Sequence, residues 1–422
     1  MKIAMMQYSP CIRNLKYAQA LREQGHKVHL ITTNANNRYG DLDNYYNSIS
    51  VFSRLEMNPE IKDMLDNTKP DIIHYHNTPE ITIYSIKYYN YPFIYDMHDL
   101  IKSNINFSKT HCKVNFIIIS KKMAKISNIK NYIIIPNFYS GPILPHTPKK
   151  INKIIEIVYI GSFYFKESAD VQIKEIKKLL LHNKNIKLHI YITESSLKPY
   201  VVSELKNNKQ CIIHPSIKYD KIMAEFQKYH FGILFYHNNG SDNYCWPNKF
   251  SEYVSSGLPV LVDSRLNEVA NNVNSLGIGK TYTDISKLGK YINNKNYKIY
   301  TQNIKKYKNM FHLNSFIPEL INKYSQIKSN FRGEIMNIEE LVNAMKSKGI
   351  DPKFMRKRKK AYLMKMFDRI NKIEQIYQTY LKWENISAEL NYWMENKNVP
   401  LDEISNRVQA HSISRPEDIG NK

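Results

Sequence analysis

The sequence predicts an α/β protein: two doubly wound, parallel-sheet domains followed by a helical appendage. Three observations carry that expectation. Short apolar runs alternate with helix-like stretches over about the first 330 residues, the alternation restarts after a proline-containing stretch at 136–150, and it stops near residue 333. Apolar runs without clean polar alternation suit strands buried on both faces, and a strand–helix rhythm builds parallel sheets flanked by helices.

Residues 3–7 read as the first strand, and 14–24 as a helix through Leu15, Ala18 and Leu21, stopped by Gly25. Further strands are expected at 26–31, 71–74, 93–95, 116–119 and 132–135. The second series starts at 154–160, landing on Gly161, and continues at 188–192, 211–213, 232–235 and 259–262. The tail reads as helix over 338–348 and 353–395. Its apolar stripe comprises Leu363, Phe367, Ile370, Ile373, Tyr377 and Tyr380, downstream of a basic run at 356–360. The expected divisions are therefore 1–145, 151–330 and 335–422. In open α/β sheets ligands meet the carboxyl ends of the strands, so chemistry is expected there, in a cleft between the two domains.

Composition narrows the partners. The 422 residues are 42% hydrophobic and 12% aromatic, enough for packed cores. No run of eighteen uncharged apolar residues is present, and the first six residues read as a strand rather than a signal peptide. Cys11, Cys112, Cys211 and Cys245 lie far apart without CxxC spacing, which speaks against a zinc site or disulfide framework and for a reducing cytoplasm. The formal charge of +23 is mostly lysine in a chain also rich in Asn, Ile and Tyr, so part of it is compositional. Such a surface attracts phosphates, whether of nucleotide sugars, anionic lipids or nucleic acid.

The strongest motif is Pro247-Asn248-Lys249-Phe250-Ser251-Glu252-Tyr253-Val254-Ser255-Ser256-Gly257-Leu258-Pro259-Val260-Leu261. It resembles the signature of the family 4-like (GT4) glycosyltransferases with the GT-B fold. Weaker motifs follow that family in order: Gly25-His26-Lys27-Val28, Asp71-Ile72-Ile73-His74-Tyr75-His76-Asn77, Tyr95-Asp96-Met97-His98-Asp99-Leu100 and Ile135-Pro136-Asn137. The resemblance covers about residues 1–330.

It implies a nucleoside-diphosphate sugar held by the second domain, an acceptor held by the first, closure between them, retention at the anomeric carbon and no metal or resident cofactor. A helix starting near Pro247 offers amides and a positive dipole end to a diphosphate. Asn248 follows, Lys249 adds a point charge, and Glu252 can accept both hydroxyls of a ribose. Gly161 and Ser162 end a strand where backbone can approach the diphosphate. Lys166 is either a phosphate contact or a solvated lysine. His98, with Asp99, is the expected catalytic group; Asp96 and Asp99 both flank its ring. Arg13, His76 and Asn137 are assigned to the acceptor, with capping of the sheet as the alternative for Arg13.

Two departures stand out. Tyr244 occupies the place, eight residues before Glu252, where many members carry a sugar-contacting glutamate, and Ser9-Pro10-Cys11-Ile12-Arg13 replaces a glycine-rich first loop. His74 and His76 share one strand face but lack a third ligand at suitable spacing, so no metal is expected. Gly279-Lys280-Thr281 lacks the earlier glycine of a phosphate-binding loop, and Asp41-Leu42-Asp43 lies in a Tyr/Asn-rich stretch, read as a solvated loop.

The acceptor is left as a glycan, lipid-linked molecule or protein. Rival readings are a nucleic-acid-modifying glycosyltransferase or basic nucleic-acid binder, and an oligomeric scaffold acting through 353–395. The basic run beside an amphipathic helix also suits an anionic membrane at the cytoplasmic face.

Overall fold

The computed structural model describes residues 1–35, 40–77, 83–110, 114–143, 145, 148–163, 165–193, 195–237, 244–331, 342–351 apart from 344 and 347, 360–381 and 386–414. Seven strands form the first sheet: β1 Lys2–Met6, β2 Lys27–Thr32, β3 Ser48–Val51, β4 Ile72–His76, β5 Phe93–Met97, β6 Phe116–Ile118 and β7 Tyr132–Ile134. Six form the second: β8 Ile155–Gly161, β9 Ile186–Ile192, β10 Cys211–His214, β11 Phe231–Leu234, β12 Val260–Asp263 and β13 Gly279–Tyr282. The orders are β3-β2-β1-β4-β5-β6-β7 and β10-β9-β8-β11-β12-β13, parallel throughout. In each sheet the winding reverses once, between β1 and β4 and between β8 and β11. A crevice opens at such a reversal, so the loops after β1 and β8 are placed to hold ligands.

The apolar runs became central strands because both their faces are covered: Ile3, Ala4, Met5 and Met6 are all buried, as are Val260, Leu261 and Val262. The first helix is Ile12–Glu23, beginning two residues before the expected start, and Gly25 follows it with φ 81°. The stretch after β7 is packed rather than loose. Phe138 stacks on Phe316 at 4.6 Å, and Ile135 O accepts from Arg13 at 2.8 Å. The helix Ile317–Asn330 follows the second sheet yet returns to the first, where Tyr324 Oη lies 2.5 Å from His74 Nδ1 and Lys328 pairs with Asp71.

The tail differs from the expectation of one long helix over 353–395. It contains the helices Lys360–Leu381 and Ser387–Glu395, with Ile386 at φ −122° before the second, and a third helix, Leu401–Ser414. No strand occurs among its described residues. The expected docking, oligomerisation or membrane stripe is corrected by its packing. Leu363, Phe367, Ile370 and Ile373 are fully buried in one core with Ile61, Leu65 and Tyr89 of the first domain. Phe367 meets Tyr88 edge-on at 6.0 Å, and Glu374 pairs with Arg54 at 2.6 Å. The described part of the apolar face is thus consumed within the chain. The side chains of Tyr377 and Tyr380 and the basic run at 356–360 lie outside the described residues. No described helix is long and apolar enough to cross a membrane.

Candidate active site

A cleft of about 750 Å³ opens between the carboxyl ends of the two sheets. From the first domain it is lined by Ile12, His98, Asp99 and Asn137; from the second by Gly161, Ser162, Tyr244, Pro247, Asn248, Lys249 and Glu252. The sequence expectation placed all of these except Ile12 at the site.

The second-domain side is built on the helix Asn248–Ser255, which starts after Pro247 and is closed by Gly257 at φ 87°. Asn248 and Lys249 at its start line the cleft, and the first turn of a helix carries the unpaired N–H groups that bind anions. Lys249 is half-buried against Tyr159, with Nζ 3.3 Å from the hydroxyl and 4.5 Å from the ring centre. Burial pushes its pKa down to about 8, the nearby Glu252 carboxylate acting in the opposite sense. Gly161 has no room for a side chain: a Cβ there would sit 2.6 Å from Tyr159 Oη and 2.9 Å from Lys249 Nζ.

Glu252 is 5% exposed and already engaged. Its Oε1 accepts from Lys16 Nζ at 3.0 Å and from Tyr219 Oη at 3.2 Å, and the same ammonium donates to Asn248 Oδ1 at 2.9 Å. Lys16 belongs to the first helix, so this buried pair crosses between the two sheets. Sequence reasoning missed Lys16 and Tyr219; a lysine on an amphipathic helix carries no signal of a partner 236 residues away.

On the first-domain side, His98 follows β5 at its carboxyl end. Its Nδ1 is 2.9 Å from Asp96 Oδ1, whereas Asp99 Oδ2 lies 4.0 Å from Nε2 and is largely solvated. Asp96, not Asp99, therefore orients the ring. Burial opposes charge on His98, but Cys11 and Asp96 beside it raise its pKa to about 10. Asn137 spans the cleft floor, accepting from Arg13 Nη1 at 3.0 Å and donating to Trp246 O at 2.8 Å. Tyr244 Oη accepts from the Leu100 amide at 3.4 Å, placing the phenol where the family pattern has a carboxylate.

Three expected site residues are placed elsewhere. Arg13 is 3% exposed and donates through Nε to both oxygens of Asp96, through Nη1 to Pro136 O and Asn137, and through Nη2 to Tyr17 and Ile135 O. Every N–H is used, so it is an internal anchor and not an acceptor contact. Lys166 is half-exposed, pairs with Asp170 at 3.0 Å, sits 3.9 Å over Tyr200 and does not line the cleft. His76 is fully buried against His74, ring centres 3.9 Å apart. His74, His76 and Asp96 bring possible ligand atoms within 4.8 Å of one another, a clustering that spacing along the chain did not reveal. The two rings lie only 16° from parallel, so their in-plane lone pairs run side by side instead of converging. Asp96 is also held by Arg13 at 2.9 Å. This group reads as a buried polar cluster behind His98.

Residues 3–132 match the family model described as glycosyl transferase 4-like, and residues 174–324 match that of the glucosyltransferase 3-like, C-terminal domain. The chain belongs to the GT-B glycosyltransferases. The glycosyltransferase is similar in fold to the lipopolysaccharide outer core galactosyltransferase WaaB, in its apo form (13% identity, TM-score 0.52, covering 76% of this chain and 100% of that one). It is similar to WaaG, a glycosyltransferase involved in lipopolysaccharide biosynthesis (13% identity, TM-score 0.51, 79% and 100%). Against a mutant form of S. aureus TarM the identity is 13% and the TM-score 0.47; the match covers 62% of this chain and 58% of TarM's length. No curated protein matches the chain.

Proposed function

We propose that this glycosyltransferase moves a sugar from a nucleoside diphosphate, bound against the second sheet, to a hydroxyl-bearing acceptor entering from the first-domain side. The observation that carries this reading is Lys249: a half-buried ammonium facing the cleft, whose one hydrogen bond among the described residues is a long one to Tyr159, beside Gly161 and the start of the helix Asn248–Ser255. A half-buried cation with a single weak acceptor is poorly satisfied, and a diphosphate would supply further acceptors. As the glycosidic bond breaks, charge develops on the departing phosphate; Lys249 and the helix N-terminal amides stabilise it from fixed positions. Glu252 takes the ribose hydroxyls, sharing its carboxylate with Lys16. His98, held by Asp96, serves the sugar and acceptor side with Asp99.

The family resemblance supports retention, with departure and attack on one face of the sugar, and transfer without a metal. The acceptor is a glycan, a lipid-linked molecule or a protein, met in the cytoplasm or at the inner face of a membrane. The deciding experiment is thermal stabilisation by UDP-, GDP- and CMP-sugars, each with and without EDTA. One nucleotide series should raise the melting temperature equally in both conditions, and the Glu252→Ala variant should lose that rise. No rise with any of the three overturns the reading. Flotation with anionic liposomes tests the membrane-side acceptor.

A further inference from the structure

Behind the acceptor side of the cleft, His98 and Asp96 of the candidate site are joined by a third side chain, Cys11, that the proposed transfer does not use. Cys11 precedes the first helix, as its N-cap residue, and is part-exposed. Its Sγ lies 3.7 Å from His98 Nε2, and His98 Nδ1 lies 2.9 Å from Asp96 Oδ1. Asp96 is itself fixed by the two-oxygen contact with Arg13 Nε. The order sulfur, imidazole, carboxylate is the one that activates a nucleophilic thiol: the carboxylate fixes the ring, and the far nitrogen takes the thiol proton.

We propose that Cys11 is a reactive thiolate and a covalent-modification site for peroxides and small electrophiles, built by the Cys11–His98–Asp96 array. Two features favour the thiolate. The start of a twelve-residue helix presents a positive dipole end to the sulfur. The imidazolium stands against it; burial raises the thiol, yet His98 brings it below its ordinary value. The titratable and charged groups around His98 are Cys11, Asp96 and, at 4.0 Å, Asp99, with Arg13 and His74 behind Asp96. Cys211 makes an internal contrast, because burial alone pushes its thiol up to about 12.

The chemistry balances with a peroxide as oxidant. The thiolate sulfur attacks one peroxide oxygen, an S–O bond forms and the O–O bond breaks. The departing hydroxide is protonated to water, leaving a sulfenic acid, so sulfur is oxidised by two electrons and the peroxide is reduced. With an alkyl iodide the sulfur attacks carbon and iodide leaves, the thiol proton remaining on His98. Either adduct enlarges the sulfur beside His98, so modification would also disturb the acceptor side.

The test uses the full chain, needs no sugar donor, and so stands or falls apart from the proposed transfer. Iodoacetamide labelling at pH 7, mapped by peptide mass spectrometry, should modify Cys11 about tenfold or more faster than Cys211. His98→Ala and His98→Gln should each slow Cys11 about tenfold without changing Cys211. Hydrogen peroxide followed by dimedone should tag Cys11. Equal rates at Cys11 and Cys211, or a Cys11 rate indifferent to both His98 variants, would overturn the proposal. If a variant unfolds, Cys211 accelerates with it, and the wild-type rate ratio then decides alone.

Discussion

Lys249 titrates close to the pH at which the enzyme would work, and that makes its role measurable. Burial lowers it to about 8, so it is charged below pH 8 and neutral above. A bound diphosphate favours the charged form, so binding above pH 8 must take up a proton. Calorimetric titration of the stabilising nucleotide should show Kd constant below pH 8 and rising about tenfold per pH unit above it, with proton uptake. The Lys249→Met variant should bind weakly and without that slope; a flat wild-type profile excludes Lys249 from the phosphate site. The pair beside it is tested differently. Lys16→Met strands a buried carboxylate at Glu252 and should cost about 3–5 kcal/mol, much of it recovered when Glu252→Gln is added. Additive losses in the cycle would mean that the pair does not hold the two domains together. Glu252 and Lys249 were legible in the sequence because they lie within one short helix whose spacing is itself the signal. Lys16, Tyr219 and Cys11 were not, since only folding brings them to partners far along the chain.

The strands show the same divide at the level of elements. Central strands such as β1, β8 and β12 are covered on both faces, so burial wrote them as apolar runs. The overlooked strands are β3, Ser-Ile-Ser-Val, and β13, Gly-Lys-Thr-Tyr, and both are sheet edges. An edge strand is half-solvated and polar residues suit it, so its sequence resembles a loop. The bounds of the tail helices failed for another reason: periodicity runs on through 353–395, whereas the chain breaks before Ser387. Two glycines at strand ends separate packing from chemistry. A Cβ on Gly279 would meet the Val260 carbonyl oxygen at 1.9 Å, a backbone contact that cannot swing away. A Cβ on Gly161 would instead have side-chain atoms nearest to it, the end of the buried Tyr159 ring and the Lys249 ammonium, at 2.6–2.9 Å. Gly279→Ala should therefore lower the melting temperature with nucleotide affinity intact in the folded fraction. Gly161→Ala should lose less stability than Gly279→Ala and bind nucleotide weakly. Calorimetry paired with nucleotide titration reads both, and the reverse pattern would displace Gly161 from the donor site.

At the scale of the whole molecule, the amphipathic stripe of the tail was readable but its cover was not, because a stripe of Leu363, Phe367, Ile370 and Ile373 fits a second copy, a membrane or the chain's own core equally well. The structure gives it to the first domain, with Glu374 clamped by Arg54 and Lys348. The described part of the tail then stabilises the first domain. Phe367 is fully buried, and replacing it by alanine should cost about 3–5 kcal/mol through lost burial and a residual cavity. Removing 335–422 uncovers the apolar side of the helix Pro59–Thr68 and its neighbours, and surfaces of that kind associate. The truncated chain should bind a hydrophobic dye and scatter as aggregate, while the full chain should not lose solubility when Arg54–Glu374 is broken by Glu374→Gln. A truncated chain that is monomeric, dye-free and melts like the full protein would show that the tail is an attachment, and would return the stripe to the outside partners that its sequence alone allows.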